Sequence, residues 1–174
     1  MFLALSFLIL LRLPDDPPPR WMPLANPGCS ARLPNANPKV QKLEDTGPDD
    51  KPVKISIYRG TIGKTSYLVT ISEFSDEYMK QPVKIIFDNA RNGSIARSGG
   101  KLVSEKDIEL DKVPGRETIV TVKDAGFVKA RVYVHNERQY AVMIASPNEK
   151  ELDDENAKKF FESFKLKTMR RPGK

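Results

Sequence analysis

The chain has 174 residues, of which 30% are charged and 39% apolar, as in an ordinary soluble globular protein. Its formal charge of +6 is modest and acidic and basic residues are interspersed, whereas a nucleic-acid binder clusters its cations. With one cysteine and one histidine, the chain cannot form an intrachain disulfide or a four-ligand structural zinc site.

Residues 1–12 form an apolar segment that resembles an export signal. The run from Phe2 to Leu11 is too short to span a membrane, which takes about 20 residues. Its length fits the apolar region of a signal peptide, although no basic residue precedes it and no small-residue cleavage site follows. Export, from a start that is misassigned or truncated, is the favoured interpretation; a short interfacial anchor, giving peripheral membrane association through residues 2–11, and an accident of the gene model are the alternatives.

Residues 13–27 contain six prolines and no apolar period, which predicts an extended, polyproline-like linker. Cys29 follows it directly and has two interpretations. It is either a lipid-attachment site, for which Asn26 stands where a leucine is expected, or a small buried side chain on a strand with Ala31 and Leu33.

A single domain is predicted over residues 28–166, followed by a basic, disordered tail over residues 167–174. Apolar alternation predicts its first strands at Cys29–Leu33, Val40–Glu44, Val53–Tyr58 and Ser66–Ser72, the last two joined by a glycine-containing hairpin loop at 59–64.

Two segments predict helices. The first runs from Pro82, a residue tolerated in a first turn, to Ser98, where two glycines end it. The second runs from Asp153 to Phe164 and carries apolar residues at i, i+3, i+4 and i+7. The carboxylates at its start are interpreted as helix caps.

Four further strands joined by short turns predict an antiparallel meander: Lys101–Leu110, Arg116–Val122, Phe127–Val134 and Arg138–Ala145. Because Tyr140–Ala145 is apolar on both faces, this strand should be central, with helices above and below it. The predicted fold class is therefore α+β, an antiparallel sheet of about six to eight strands covered by two helices.

The sequence offers no catalytic constellation, cofactor site or metal site. His135 falls in a predicted hairpin turn, where a histidine is usually exposed and without a role. Arg116 follows Pro114-Gly115 in a predicted tight turn; it either pairs with Glu117 on the surface or binds an anion or a partner carboxylate at the sheet rim. Arg116, His135 and Arg138 are the candidate surface residues.

The resemblance to known proteins is carried by five stretches: 100–106, 114–117, 130–134, 138–140 and 157–166. These resemble a family of small uncharacterised bacterial proteins, many with export signals, over roughly residues 20 to 166. In element order the chain is more distantly similar to the PsbP-like fold, an antiparallel sheet between helices. PsbP proteins assist photosystem assembly and other members bind protein partners, but no functional residue of theirs can be matched here.

These observations predict a non-catalytic, exported or envelope-associated domain that binds a protein or another ligand. One alternative is an enzyme of unfamiliar type with a site at the sheet rim. Another is a domain that binds an anionic surface, nucleic acid or lipid, through the basic tail. A nucleic-acid partner is not expected, and cytoplasmic localisation is the alternative to export.

Overall fold

The structure is a computed structural model that describes residues 18–35, 40–123 and 126–167. Its strands are β1 (Trp21–Asn26), β2 (Cys29–Pro34), β3 (Gln41–Thr46), β4 (Pro52–Ile62), β5 (Thr65–Glu73), β6 (Leu102–Leu110), β7 (Val113–Val122), β8 (Gly126–His135), β9 (Arg138–Ser146) and β10 (Lys165–Leu166). Its helices are α1 (Asp76–Met79), α2 (Val83–Ser98) and α3 (Glu155–Ser163), with a 3-10 turn at Glu149–Leu152. The predicted apolar segment 1–12, the start of the predicted linker and nearly all of the basic tail lie outside the described residues.

Seven strands form one antiparallel sheet in the order β3-β4-β5-β9-β8-β7-β6. The strand β9 lies in the middle, as its apolar sequence predicts, and Val142 on it is 1% exposed. Helix α2 packs against β7 and β8 on one face, and α3 covers the other. The predicted α+β class, an antiparallel sheet between two helices, is confirmed.

In two of the two-residue hairpin loops, both loop residues are in the left-handed conformation. Asp111 and Lys112 have φ of 51° and 67°, and Asn136 and Glu137 have φ of 49° and 60°. This is the type I′ geometry, whose twist matches that of paired strands. The turn predicted at residues 111–115 is shorter than expected, because Asp111 and Lys112 complete it and β7 begins at Val113. The residues from Pro114 to Glu117 therefore belong to the strand and not to a tight turn.

A second, three-stranded sheet in the order β1-β2-β10 lies beside α3 on the same face of the large sheet. Cys29, Ala31 and Leu33 are buried in the shared core, which confirms the interpretation of Cys29 as a buried strand residue. Burial raises the pKa of the Cys29 thiol to about 11.

The strand β1 occupies part of the segment predicted to be a linker. Its residues pair with β2 along their whole length, and Leu24 is buried in the core. The prolines of this segment do not prevent a strand, because β1 is at the edge of its sheet, where a residue without an N–H is tolerated.

Helix α2 forms ion pairs with both edge strands of the large sheet. Arg91 of α2 pairs with Glu105 on one edge strand, β6, and Arg97 of α2 pairs with Asp45 on the other, β3. The two arginines are six residues apart, so about 9 Å of helix axis lies between them. With a long side chain at each position, α2 reaches both edges of the sheet.

Candidate functional site

An open groove of about 450 Å³ runs between α2 and the edge strand β6. We call it the α2–β6 groove; it is lined by Lys84, Asp88, Arg91, Glu105, Lys106, Asp107 and Arg116. All seven side chains are charged.

Secondary structure explains why these side chains converge. Asp88 and Arg91 are three residues apart on α2 and therefore share a helix face. Glu105 and Asp107 are two residues apart on β6 and therefore share a sheet face. Asp107 lies directly opposite Arg116 on β7, so the register of the hairpin brings this arginine under α2.

Arg116 is the centre of the groove. Its Nε donates to Asp107 Oδ1 at 2.9 Å, and its Nη1 donates to Glu105 Oε1 at 2.9 Å and to Asp88 Oδ1 at 3.1 Å. Its guanidinium also lies 5.5 Å from the centre of the Phe87 ring. Burial alone would lower the pKa of Arg116, but the bonds to Glu105 and Asp107 raise it above its ordinary value. The guanidinium is therefore a fixed charge.

Arg91 completes the arrangement from the helix side. Its Nη1 donates to both carboxylate oxygens of Glu105, at 3.0 and 2.9 Å, and lies 3.2 Å from Asp88 Oδ1. Two arginines thus hold the carboxylates in place, and the groove presents a rigid pattern of both signs.

The outer edge of β6 adjoins this groove and has no neighbouring strand in the described sheet. In a two-residue hairpin the flanking residues, here Leu110 and Val113, exchange hydrogen bonds. Hydrogen-bonded and outward-facing residues then alternate along β6. The N–H and C=O groups of Glu105, Asp107 and Glu109 therefore face away from β7.

A second charged cluster lies on the other face of the sheet, under α3. Glu117 and Lys129 are only 4% and 5% exposed. Glu117 accepts from Arg131 Nε at 2.7 Å and pairs with Lys106 at 3.0 Å. Burial alone would raise the pKa of Glu117, but these hydrogen bonds and the positive charge of Lys129 lower it overall.

This second cluster anchors α3. Lys129 also pairs with Asp153, just before the helix, and Arg131 lies 4.2 Å from the centre of the Phe161 ring. Sequence reasoning missed it, because the charged residues of β8 alternate with valine and alanine and the apolar side is the expected core. The signal that could have found it is the aromatic pair Phe127 and Tyr133 on the same side as the charges.

The three sequence-predicted candidates fall on two surfaces. His135 and Arg138 are cross-strand neighbours in the β8–β9 hairpin, and Arg138 pairs with Glu73 at 2.7 Å. By strand alternation these two share the α3 face of the sheet, whereas Arg116 lies on the α2 face. The structure therefore brings His135 and Arg138 together and separates them from Arg116.

Within the described ranges, no group of three or more His, Cys, Asp or Glu side chains could hold a metal ion. Among the same residues, none of the helices has the length and apolar character needed to cross a bilayer.

No protein-family model and no curated protein matches the chain. Among solved structures, the chain is similar to cyanobacterial PsbP (CyanoP) from Synechocystis sp. PCC 6803, with a TM-score of 0.55 and 13% sequence identity. The likeness covers 84% of this chain and 92% of that chain. At this identity it shows the fold, which is PsbP-like.

Proposed function

We propose that this chain is a non-catalytic, exported or envelope-associated domain that binds a protein partner through the α2–β6 groove and the adjoining edge of β6. The observation that carries the proposal is the combination of an open strand edge with a rigid pattern of charges beside it. Strand edges supply main-chain hydrogen bonds to a partner, and fixed charges select which partner is accepted.

The chemistry of the groove supports binding and gives no support to catalysis. A reactive site needs a nucleophile or an acid–base group that is free to reach a substrate. In the α2–β6 groove, Asp88, Glu105 and Asp107 are each held by an arginine. The lining residues include no serine, cysteine or histidine.

Export is supported by the apolar run from Phe2 to Leu11 and the proline-rich stretch behind it. Amino-terminal sequencing of the native protein, combined with cell fractionation, tests this part. Export predicts protein in the envelope or secreted fraction. Full-length protein confined to the cytosol would refute it.

Site-specific photo-crosslinking tests the binding surface. A photoreactive residue at Glu109, beside the groove, should capture a partner that the same residue at Glu155, exposed on α3, does not. The partner is then purified and its affinity measured for the double variant Lys84→Glu/Glu109→Lys. We expect at least a tenfold loss.

The matched control is Lys64→Glu/Glu155→Lys, which makes the same charge changes away from the groove. A partner that both double variants bind equally well would overturn the assignment of the surface. Crosslinking from Glu155 but not from Glu109 would do the same.

A further inference from the structure

Three residues of β6 have main-chain N–H and C=O groups that face outward and are available to a partner. They belong to Glu105, Asp107 and Glu109, whose side chains all lie on the α2 face of the sheet. A further strand pairing here would place alternate side chains directly opposite these three carboxylates.

Only part of this negative charge is balanced from within the chain. Glu105 is bound by Arg91 and Arg116, and Asp107 is bound by Arg116, whereas Glu109 faces Pro114 across the hairpin. The side chain of Asp107 is 82% exposed, and Glu109 forms no ion pair within the described residues. Cationic side chains of an added strand, placed opposite Asp107 and Glu109 on the outer side of β6, would therefore form favourable ion pairs.

On the other face of β6, near the hairpin turn, apolar side chains of an added strand would be favoured. Ile108 and Leu110 are partly buried and pack against the main core. Lys106, between them and the start of the strand, is already paired with Glu117. An added strand would extend the covered apolar surface at Ile108 and Leu110.

A second copy of the chain does not fit this edge. A two-fold axis perpendicular to the sheet keeps like faces together, so the carboxylates of one β6 would meet those of the other. Like charges directly opposite each other in a sheet are destabilising. The β6 edge therefore disfavours pairing with the β6 edge of a second copy, and it favours a strand of complementary charge.

We infer that β6 binds an extended segment of a partner protein as an eighth strand, and that this segment alternates Lys or Arg with apolar residues. The inference rests on the proposed function and specifies the partner's chemistry. The cations face Asp107 and Glu109, the apolar residues lie beside Ile108 and Leu110, and the main chains hydrogen-bond across the new ladder.

Fluorescence anisotropy with the full chain and labelled synthetic peptides tests the inference. The probe is a ten-residue peptide that alternates lysine with valine, and the controls are a scrambled peptide of the same composition and one that alternates glutamate with valine. We expect the alternating cationic peptide to bind at least tenfold more tightly than either control. Equal binding of the alternating and scrambled cationic peptides would overturn the inference, because charge without strand register would then suffice.

Variants at Glu109 separate charge from backbone pairing. Glu109→Gln removes the charge, and we expect about threefold weaker binding of the alternating peptide, within the usual worth of a cross-strand pair. Glu109→Pro also removes an outward N–H that the partner strand would use, and we expect a further loss of about fivefold in affinity. The fold should survive this change, because proline is tolerated on edge strands and β7 does not use this N–H. Thermal unfolding of each variant confirms that the fold is retained. If Glu109→Pro binds as well as Glu109→Gln, strand addition is refuted.

The failure of this inference can be distinguished from failure of the proposed function. If the alternating peptide does not bind, but the partner crosslinked from Glu109 still loses affinity for the groove double variant, the surface stands and strand addition is wrong. If no partner loses affinity for the groove double variant, the proposed function is wrong, whether or not the peptides bind.

Discussion

Gly28 and Tyr140 approach so closely that the glycine has no room for a side chain. A Cβ atom at Gly28 would lie 2.1 Å from the hydroxyl oxygen of Tyr140 and 3.2 Å from its Cζ. Tyr140 is fully buried, and within the described part of the chain its hydroxyl makes no hydrogen bond of good geometry. The contact joins the small sheet to the central strand of the large one.

Gly28→Ala should therefore lower the free energy of unfolding by about 1–3 kcal/mol, the usual cost of overpacking a core. Tyr140→Phe removes the clashing oxygen and should recover most of this loss in the double variant. By itself Tyr140→Phe should change stability by less than about 1 kcal/mol, because the buried hydroxyl makes no hydrogen bond of good geometry with a described residue. Urea denaturation of the four proteins measures the coupling, and strictly additive effects would contradict this reading of the contact.

Arg116→Gln should destabilise the domain by about 1–3 kcal/mol, because three carboxylates lose the cation that they share. The upper range for buried pairs is not expected, since Asp107 is largely exposed to solvent. Arg97→Gln is the matched control, because its ion pair with Asp45 lies on the surface. It should cost less than about 1 kcal/mol in the same denaturation experiment, and an equal cost for both variants would count against the central role of Arg116.

The lowered pKa of Glu117 predicts a loss of stability in acid. A carboxylate whose folded-state pKa lies below the ordinary 4.5 contributes stability that is fully present above pH 4.5 and is lost as the pH falls through the folded-state pKa. Glu117→Gln should be less stable than the native chain at neutral pH and should show a shallower decline below pH 4.5. Denaturant titrations between pH 7 and pH 3 measure both slopes, and parallel curves would show that Glu117 is not a source of the acid sensitivity.

The two phenylalanines of α3 are expected to carry much of its packing energy. Phe160 is 0% exposed and lies edge-on to Tyr67, with ring centres 5.4 Å apart. Phe160→Ala should cost about 3–5 kcal/mol in unfolding free energy, as large-to-small changes in cores do. Lys158→Ala, on the exposed side of the same helix, should change stability by less than about 0.5 kcal/mol. Guanidinium denaturation compares the two, and similar effects would mean that α3 is not a core helix.

The layer arrangement follows from sequence because its signals are strong and local. The apolar spacing of α3 predicts its buried face, Gly99 ends α2 in the left-handed conformation with φ of 60°, and the doubly apolar stretch through Val142 predicts the central strand. Each of these depends on residues only a few positions apart.

The small sheet could not be predicted in the same way. The strand β1 contains a proline, Pro23, and has no clear alternation, and it becomes a strand only because β2 lies beside it. A turn between β6 and β7 was predicted at residues 111–115, but its two-residue type I′ geometry at Asp111-Lys112 was not, since neither residue is the glycine that usually marks a left-handed position.

The candidate site was partly within reach of sequence reasoning. Arg116 was identified, but its partners were not, because Asp88 and Glu105 reach it only through the packing of α2 against the sheet. Asp107 was closer to prediction, since it is on the neighbouring strand of the same hairpin. The packing that brings both edge strands within reach of α2 has no local signature in the sequence.

The small sheet also ties the two ends of the domain to each other. Ser30 pairs with Lys165 and Cys29 with Leu166, so the central strand of the small sheet gains one of its two neighbours only from residues more than a hundred positions later. A nascent chain cannot complete this sheet until almost the whole domain has left the ribosome, and pairing between such distant residues is slow to form. For a protein exported as proposed here, that delay keeps the polypeptide unfolded, the state in which it can be threaded through a translocation channel.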